Sequence, residues 1–280
     1  MSRPIRTVLS CLALLVIAGT ASAKTGPPIS IPASAETAKQ RLSASPRHGE
    51  WADITVPGSD AKVHSWVVYP ERKGKAPVVI VIHEIFGLSD WIRSVADQLA
   101  AEGFIALAPD LLSGKGPDGG GTDSFPEGAA AGAIFKLDPA EVAARLDAVR
   151  GYGLSLPSAS SRSSTIGFCW GGMTSFAYAA RQPALNAAVV YYGTPPANDA
   201  LPRIKAPLMG FYGGDDARVT STVEGTQKSM AELKKPYVSH VYAGAGHGFL
   251  RQQTGRDGAN LKAAQGAWME TIRFLKKSLK

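Results

Sequence analysis

The sequence predicts an α/β domain in which a mostly parallel, twisted sheet is flanked by helices. The run "APVVIVIH" is uninterrupted and rich in β-branched residues, which is typical of a parallel strand covered on both faces. From there to the C-terminus, strand-like segments alternate with helical ones, as in repeated strand–helix units. Before it, "WADITVP" and "KVHSWVVYP" lie on either side of a "GSD" turn and predict an N-terminal antiparallel hairpin.

Further elements follow from the same patterns. Strands are expected in "FIALAPD", "STIGF", "NAAVVYYG", "APLMGFYG" and "YVSHVYAG". Helices are expected over residues 90–102, 139–150 and 221–234, after Gly171 and from residue 260 onward. The last helix should bury one face, because its apolar residues fall at helical spacing. These residues are Leu261, Ala264, Trp268, Ile272 and Leu275.

The first 23 residues have the layout of a secretory signal peptide. Arg3 and Arg6 precede the short apolar run "VLSCLALLVIA", and the small residues Ala21 and Ala23 end the segment. We therefore expect cleavage near Ala23 and a periplasmic or secreted protein. A membrane anchor is the alternative, but the run is shorter than a comfortable span, so no stable membrane insertion is expected.

Two stretches of the remaining chain lack sustained periodicity. Residues 24–47 are rich in Pro, Ser and Ala and predict a loose N-terminal arm. Residues 48–280 should then form one domain, because the chain, at 280 residues and 45% hydrophobic content, suffices for one sizeable core. Within that domain, residues 111–133 are Gly-rich and follow the strand "FIALAPD". A loop of this length either covers a functional site or is disordered.

The charge of the chain does not indicate a nucleic-acid partner. Removing residues 1–23 takes away two of the 30 basic residues and none of the 23 acidic ones, which leaves a formal charge of +5. An excess of this size is typical of a solubility feature, and no basic block with interleaved aromatic residues occurs. The oligomeric state stays open, with a monomer favoured.

Cys169 is the single cysteine of the mature chain, because Cys11 lies in the signal peptide. An intramolecular disulfide is then excluded, which leaves a buried inert residue, an intermolecular link or a reactive thiol. The setting "STIGFCWGG" is a strand followed by Gly-x-Cys-x-Gly and a helix. Such a turn projects a nucleophile from the sheet edge, and the N-terminus of the helix lowers a thiol's pKa.

A base and an acid follow this cysteine in the chain. His247 lies in "VYAGAGHGF" just after the last strand, and Asp215 and Asp216 lie in "FYGGDDARV" after the preceding one. Each has an ordinary interpretation, His247 as a loop histidine and either aspartate as a helix cap. The order nucleophile, acid, histidine, each after a strand, is that of α/β-hydrolases and favours a catalytic triad.

Glu84 in "VIHEIFGL" ends the long buried strand, where this superfamily places its second oxyanion-hole donor. The "HE" pair does not predict a zinc site, because Gly87 stands where the second histidine would be required. The remaining histidines are expected to be structural or on the surface, since none has a cysteine or acid at metal-ligand spacing. They are His48, His64, His83 and His240.

From about Val78 onward the sequence resembles the dienelactone hydrolase (carboxymethylenebutenolidase) family of the α/β-hydrolase superfamily. The motifs that carry the resemblance are "HEIFGL", "GFCWGG", "YYG", "GGDD" and "GAGHGF", in the family's order. It implies the α/β-hydrolase fold and a triad of Cys169, Asp216 and His247. It also implies cleavage of a small ester or lactone through a thioester, without a metal or organic cofactor.

The resemblance implies roles for four further residues. Glu84 would contact the resting thiol and take part in its activation. The backbone N–H groups of Ile85 and Trp170 would hold the oxyanion. Arg251, four residues after the triad histidine, would bind a carboxylate of the substrate.

The sequence departs from the family in the region that recognises dienelactone. Family members that act on dienelactone carry a second arginine after the "PDL" strand, whereas "EGAAAGAIFKLDPAEV" offers Lys136 alone, and "DLLSGKGP" lacks the usual tyrosine. We therefore expect an exported hydrolase of small carboxylic esters or lactones. The alternatives are a catalytically weak small-molecule-binding protein, or a thioesterase or acyl-transfer enzyme on the same fold.

Overall fold

The computed structural model describes Met1 and residues 30–280. Apart from Met1, the predicted signal peptide lies outside the described residues, as does the start of the predicted arm. The fold consists of one eight-stranded sheet with helices packed against it. Among the described residues, no helix has the length and apolar character needed to cross a membrane.

The sheet is mostly parallel, as predicted. Its order is β1-β2-β4-β3-β5-β6-β7-β8. The β1–β2 hairpin is antiparallel, β2 is also antiparallel to β4, and every other neighbouring pair is parallel. The strands are β1 (Gly49–Thr55), β2 (Lys62–Val68), β3 (Ala76–Ile82), β4 (Ile105–Pro109), β5 (Ala159–Phe168), β6 (Ala187–Tyr191), β7 (Leu208–Gly213) and β8 (Tyr237–Tyr242).

The five expected helices lie close to their predicted positions, and the described residues also form three short helices that were not predicted. They are α1 (Ala38–Ser43), α2 (Asp90–Ala101), α3 (Ala130–Ile134), α4 (Pro139–Ser155), α5 (Trp170–Arg181), α6 (Ala217–Thr220), α7 (Val223–Glu232) and α8 (Ala259–Ser278). The helix expected to end near residue 150 continues to Ser155, and the helix expected over 221–234 is preceded by the short α6. In α8, Leu261 is 39% exposed, whereas the other four residues of its predicted apolar face are buried.

The central strand β3 has a buried layer on each side. Val79 and Val81 belong to one apolar cluster, which includes residues of α2 and α8 such as Trp268. Ile80 and Ile82 belong to a second cluster, which includes residues of α4 and α5. All four β3 side chains are fully buried. The uninterrupted β-branched run therefore reflects a strand that is covered on both faces, as the sequence predicted.

Residues 30–47 are packed against the fold, and the expectation of a loose arm is wrong for this part of the chain. The indole Nε1 of Trp91 in α2 donates to the carbonyl oxygen of Ala33 at 3.0 Å. Further along, Asp97 of α2 accepts from Ser45 Oγ at 2.5 Å and from Arg47 Nε at 2.9 Å. Composition alone did not predict this packing, because the buried groups that bond to the segment, Trp91 and Asp97, belong to α2.

The Gly-rich stretch 111–133 also has a defined conformation. The Asp110 carboxylate at the end of β4 accepts from the N–H of Leu112 at 3.0 Å and from the hydroxyl of Thr122 at 2.7 Å. The same hydroxyl accepts from the N–H of Leu88 at 3.0 Å. The loop therefore lies beside the segment that follows β3, and the buried Asp110 carboxylate holds its first half, up to Thr122.

The Asp97 cluster gives a test of how firmly residues 30–47 are held. Asp97→Ala removes the acceptor of Ser45 and leaves the largely buried Arg47 guanidinium unpaired. We expect the free energy of unfolding in urea to fall by about 2–4 kcal/mol. Glu270→Ala, which removes an exposed ion pair with Arg273, should change it by no more than about 0.5 kcal/mol. Equal losses in the two variants would contradict a specific anchoring role for Asp97.

Candidate active site

Cys169 lies on a strained turn between β5 and α5. Its backbone φ of 55° is unusual for a residue with a Cβ, and such a conformation costs about 1–3 kcal/mol unless its surroundings hold it. The Cys169 N–H donates to the carbonyl oxygen of Tyr191 at 3.1 Å, and its own carbonyl accepts from the N–H of Met173 at 3.1 Å. The turn thus fixes the cysteine at the carboxyl edge of the parallel strands.

Two glycines let α5 approach the sheet closely enough to form this turn. A Cβ on Gly167 would lie 1.9 Å from the carbonyl oxygen of Gly171. A Cβ on Gly171 would lie 2.3 Å from the carbonyl oxygen of Ile82 in β3. Because both obstacles are backbone atoms, neither position has space for a side chain, which explains the glycines of "GFCWGG".

The acid and the histidine meet at the same edge of the sheet. The Asp216 carboxylate accepts from His247 Nδ1 at 2.5 Å, with Asp216 at the end of β7 and His247 in the loop after β8. Since a carboxylate only accepts, the Nδ1 atom carries the proton, and Nε2 is left as the acceptor. Asp215 instead pairs with Arg256 at 3.1 Å on the surface.

The Cys169 thiol is close to this pair but is not bonded to it. Among residues 30–280, no hydrogen bond joins the sulfur to the His247 imidazole or to the Glu84 carboxylate. Tyr192 lies alongside, with its ring centroid 5.1 Å from that of His247. Burial raises the pKa of Tyr192 well above its usual value, and the nearby Glu84 and Cys169 raise it further. The acid–histidine half of the predicted triad is thus assembled, and the thiol–histidine half is not.

The resting thiol is held in its protonated form. Burial raises the pKa of Cys169, and the charge of Glu84 raises it further. The Trp170 N–H at the start of α5 and the Arg218 guanidinium lower it, by less. The helix N-terminus thus lowers the thiol's pKa as expected, but burial and two carboxylates outweigh it, so the net shift is upward.

Glu84 and Arg251 form a close ion pair beneath the exposed ring of Phe86. Arg251 Nε lies 3.0 Å from Glu84 Oε2, but the N–H does not point at the oxygen, so no hydrogen bond is formed. The guanidinium carbon lies 4.6 Å from the Phe86 ring centroid. Burial raises the pKa of Glu84 to about 7, although the Arg251 charge opposes the shift. This carboxyl can therefore gain and lose a proton near neutral pH.

The two predicted oxyanion donors follow two neighbouring strands, Ile85 after β3 and Trp170 after β5. The Ile85 N–H has no backbone acceptor among the described residues. The N–H of Trp170, the first residue of α5, lies beside the thiol. The Ile85 N–H is thus without a backbone acceptor, as an oxyanion donor requires, whereas the Trp170 N–H interacts with the resting sulfur.

His83 is a structural residue, as expected. It is fully buried and donates from Nδ1 to the carbonyl oxygen of Glu84 at 2.8 Å, while Nε2 accepts from the Leu111 N–H at 3.2 Å. Both ring nitrogens are therefore committed, and burial lowers its pKa. His64 pairs with Asp53 on the surface at 2.7 Å.

In the part of the chain that the structure describes, no group of three acidic, histidine or cysteine side chains could hold a metal ion.

An apolar groove of about 580 Å³ lies between α4 and α5. Its lining includes Leu146, Trp170, Met173 and Pro195, with Arg181 at one side. None of Cys169, Asp216 and His247 lines it. The groove borders the candidate site only through Trp170, so its size alone does not identify where chemistry occurs.

The sequence comparison assigns the chain to a family. A model described as the dienelactone hydrolase family matches residues 63–279. The chain belongs to this family. The match covers most of the chain, confirms the resemblance drawn from the motifs, and identifies the protein as a hydrolase of the ester or lactone type.

Known proteins of several bacteria are similar over most of their length. A protein of Salmonella typhimurium, provisionally named a carboxymethylenebutenolidase, is 31% identical over 236 residues, which is 80% of this chain and 86% of the relative. A protein of Synechocystis with the same provisional name is 31% identical over 244 residues, covering 81% and 96%. A crystal structure from Klebsiella pneumoniae, described as a provisional dienelactone hydrolase, has a TM-score of 0.69 and 28% identity, covering 81% and 98%.

Three side chains beside the site were not singled out from the sequence. Arg218 lies two residues after Asp216 in "GGDDARV", Tyr192 lies in "YYG", and Phe86 lies in "HEIFGL". Tyr192 and Phe86 fall inside the motifs, so motif membership was the available signal for them, whereas Arg218 lies two residues beyond "GGDD". Arg218 contributes through its charge, which no pattern of apolar residues encodes.

The raised pKa of Glu84 predicts a pH-dependent stability that Glu84→Gln removes. The folded protein holds this proton up to about pH 7, above the usual pKa of 4.5, so the stabilising contribution is complete below about pH 4.5 and is lost as the pH rises through about 7. Between pH 5 and 8, wild type should lose on the order of a few kcal/mol relative to Glu84→Gln in urea unfolding. A stability difference between the two proteins that is independent of pH would contradict this.

Proposed function

We propose that the protein is an exported hydrolase that cleaves small carboxylic esters or lactones through Cys169, His247 and Asp216. The observation that carries the proposal is the His247–Asp216 hydrogen bond of 2.5 Å, at the sheet edge where the strained turn holds Cys169. This bond leaves Nε2 of His247 as a proton acceptor at the site. Membership of the dienelactone hydrolase family supports the reaction class.

The thiol becomes a nucleophile by losing its proton when the substrate binds. The resting sulfur is protonated and is not bonded to His247, so the thiol–imidazole contact has to form during binding. Glu84, whose pKa is about 7, is a second group that can accept a proton there. A substrate carboxylate that pairs with Arg251 would draw this guanidinium from Glu84 and leave Glu84 more basic.

The thiolate then attacks the carbonyl carbon of the substrate. A carbon–sulfur bond forms, and the oxyanion accepts hydrogen bonds from the N–H groups of Ile85 and Trp170. When the intermediate collapses, the carbon–oxygen bond to the alcohol breaks, and the proton taken from the thiol goes to the alcohol oxygen. Water activated by His247 hydrolyses the thioester, which releases the acid and restores the thiol.

The proposed location follows from the leader sequence. Arg3 and Arg6, the apolar run after them and the small residues before position 24 are the pattern of exported proteins. Outside the cytoplasm an exposed thiolate would be oxidised readily, and a resting thiol that is protonated and partly buried resists this. The charge environment of Cys169 therefore supports function in an oxidising compartment.

Replacing the nucleophile tests the proposal directly. We expect wild type to release 4-nitrophenol from 4-nitrophenyl butyrate and to accumulate an acylated Cys169 peptide, detectable by mass spectrometry. Cys169→Ala should lower turnover by at least about 1,000-fold, because no other group at the site forms the acyl-enzyme. A folded Cys169→Ala protein with wild-type activity would reject the thiol mechanism and indicate a different active site, whereas a wild type without turnover would favour a binding protein.

The two adjacent aspartates provide a matched pair of variants. Asp216→Asn should lower kcat by about 100- to 10,000-fold, because the amide cannot hold His247 in the required tautomer. Asp215→Asn loses only a surface pair with Arg256 and should stay within about twofold of wild type. Steady-state kinetics with the same ester measure both, and the reverse ranking would assign the acid to Asp215.

A further inference from the structure

Residues 32–37 of the N-terminal segment lie along the loop that carries Arg251. The Ala35 N–H donates to the carbonyl oxygen of Arg251 at 2.9 Å. The side-chain amide of Gln253 donates to the carbonyl oxygens of Pro32 at 2.9 Å and of Leu250 at 3.0 Å. This segment precedes residues 63–279, which the family model matches, and it touches the loop from His247 to Gln253.

The segment is fixed independently of that loop. Ala33 accepts from the buried indole of Trp91 at 3.0 Å, and Trp91 packs edge-on against Phe168 at 5.0 Å, next to Cys169 in the chain. The Asp97 cluster holds its other end against α2. Residues placed between these two attachments therefore have a defined position relative to the candidate site.

Within residues 32–37, the part that lies along the Arg251 loop, Glu36 is the charged residue. It is exposed and immediately follows Ala35, whose N–H is bonded to Arg251. A hydrogen bond with Ser34 lowers the pKa of the Glu36 carboxyl first, and the nearby Arg251 guanidinium lowers it further. Arg251 thus has two carboxylates in its surroundings, the buried Glu84 at 3.0 Å and the exposed Glu36.

We propose that Glu36 is a specificity-determining residue that offsets the charge of Arg251 and shifts the preference of the site from anionic to uncharged substrates. The inference rests on the proposed role of Arg251 in substrate binding. A ligand carboxylate that approaches Arg251 meets the Glu36 charge as well, whereas an uncharged ester does not. The selectivity would then depend on a segment outside residues 63–279, which the family model matches.

A pair of alkylating reagents tests this without requiring hydrolysis. Iodoacetate and iodoacetamide react with the same thiol and differ by one negative charge, so the ratio of their rates cancels the thiolate fraction of Cys169. Glu36→Gln should raise the iodoacetate-to-iodoacetamide ratio by about two- to fivefold at low salt, and the difference should disappear near 1 M salt. Quantifying the Cys169 peptide by mass spectrometry separates this thiol from Cys11.

Glu71→Gln is the matched control, because Glu71 is also exposed but lies before β3, at the opposite edge of the sheet. Its ratio should equal that of wild type. A ratio unchanged in Glu36→Gln, or raised equally in Glu71→Gln, would overturn the proposal.

A second substrate pair links the result to catalysis. The rate of hydrolysis of 4-acetoxybenzoate divided by that of its uncharged methyl ester should rise in Glu36→Gln by a similar factor. Both rates are measured from the phenol released. Wild type that hydrolyses neither ester, combined with a raised alkylation ratio, would reject the hydrolase and retain the role of Glu36. Ester turnover with both ratios unchanged would reject the role of Glu36 alone.

Discussion

The close approach of α5 to the sheet is the constraint on which the site depends. Gly167 and Gly171 bring the helix so near to β3 and β5 that no Cβ fits between them. Cys169 takes up the resulting strain with a positive φ, and backbone bonds to Tyr191 and Met173 hold it there. The position of the sulfur is therefore set by the packing of backbone against backbone, which is far stiffer than a side-chain contact.

The charges around that sulfur oppose the effect of the α5 N-terminus on the pKa of the thiol. A helix N-terminus favours a thiolate, but the burial of Cys169 and the carboxylates of Glu84 and Asp216 favour the thiol. The guanidinium groups of Arg251 and Arg218 offset part of this negative charge. These opposing charges hold Cys169 as a thiol, and a ligand that displaced one of them would change its pKa.

The N-terminal segment, residues 30–47, lies outside residues 63–279, which the family model matches, and it contacts the elements around the candidate site. It contacts α2 through Trp91 and Asp97, and the loop of Arg251 through Ala35 and Gln253. A segment of this kind can alter selectivity without altering the catalytic groups, because it acts on the loop that surrounds them.

The sequence by itself determined the sheet, the turn around Cys169 and the order of the three candidate catalytic residues. Those features are encoded locally, in a β-branched run, in paired glycines and in motifs that each follow a strand. Even the selection of Asp216 over Asp215, which came from a motif, agrees with the contact that His247 makes.

Only the tertiary structure decided the protonation of the thiol, the packing of residues 30–47 and the conformation of the Gly-rich loop. Each depends on groups that are distant in the chain: Gln253 reaches Pro32 across 221 positions, and the charge of Glu84 acts on Cys169. Burial and Coulombic interactions depend on distance in space, which composition and periodicity do not record.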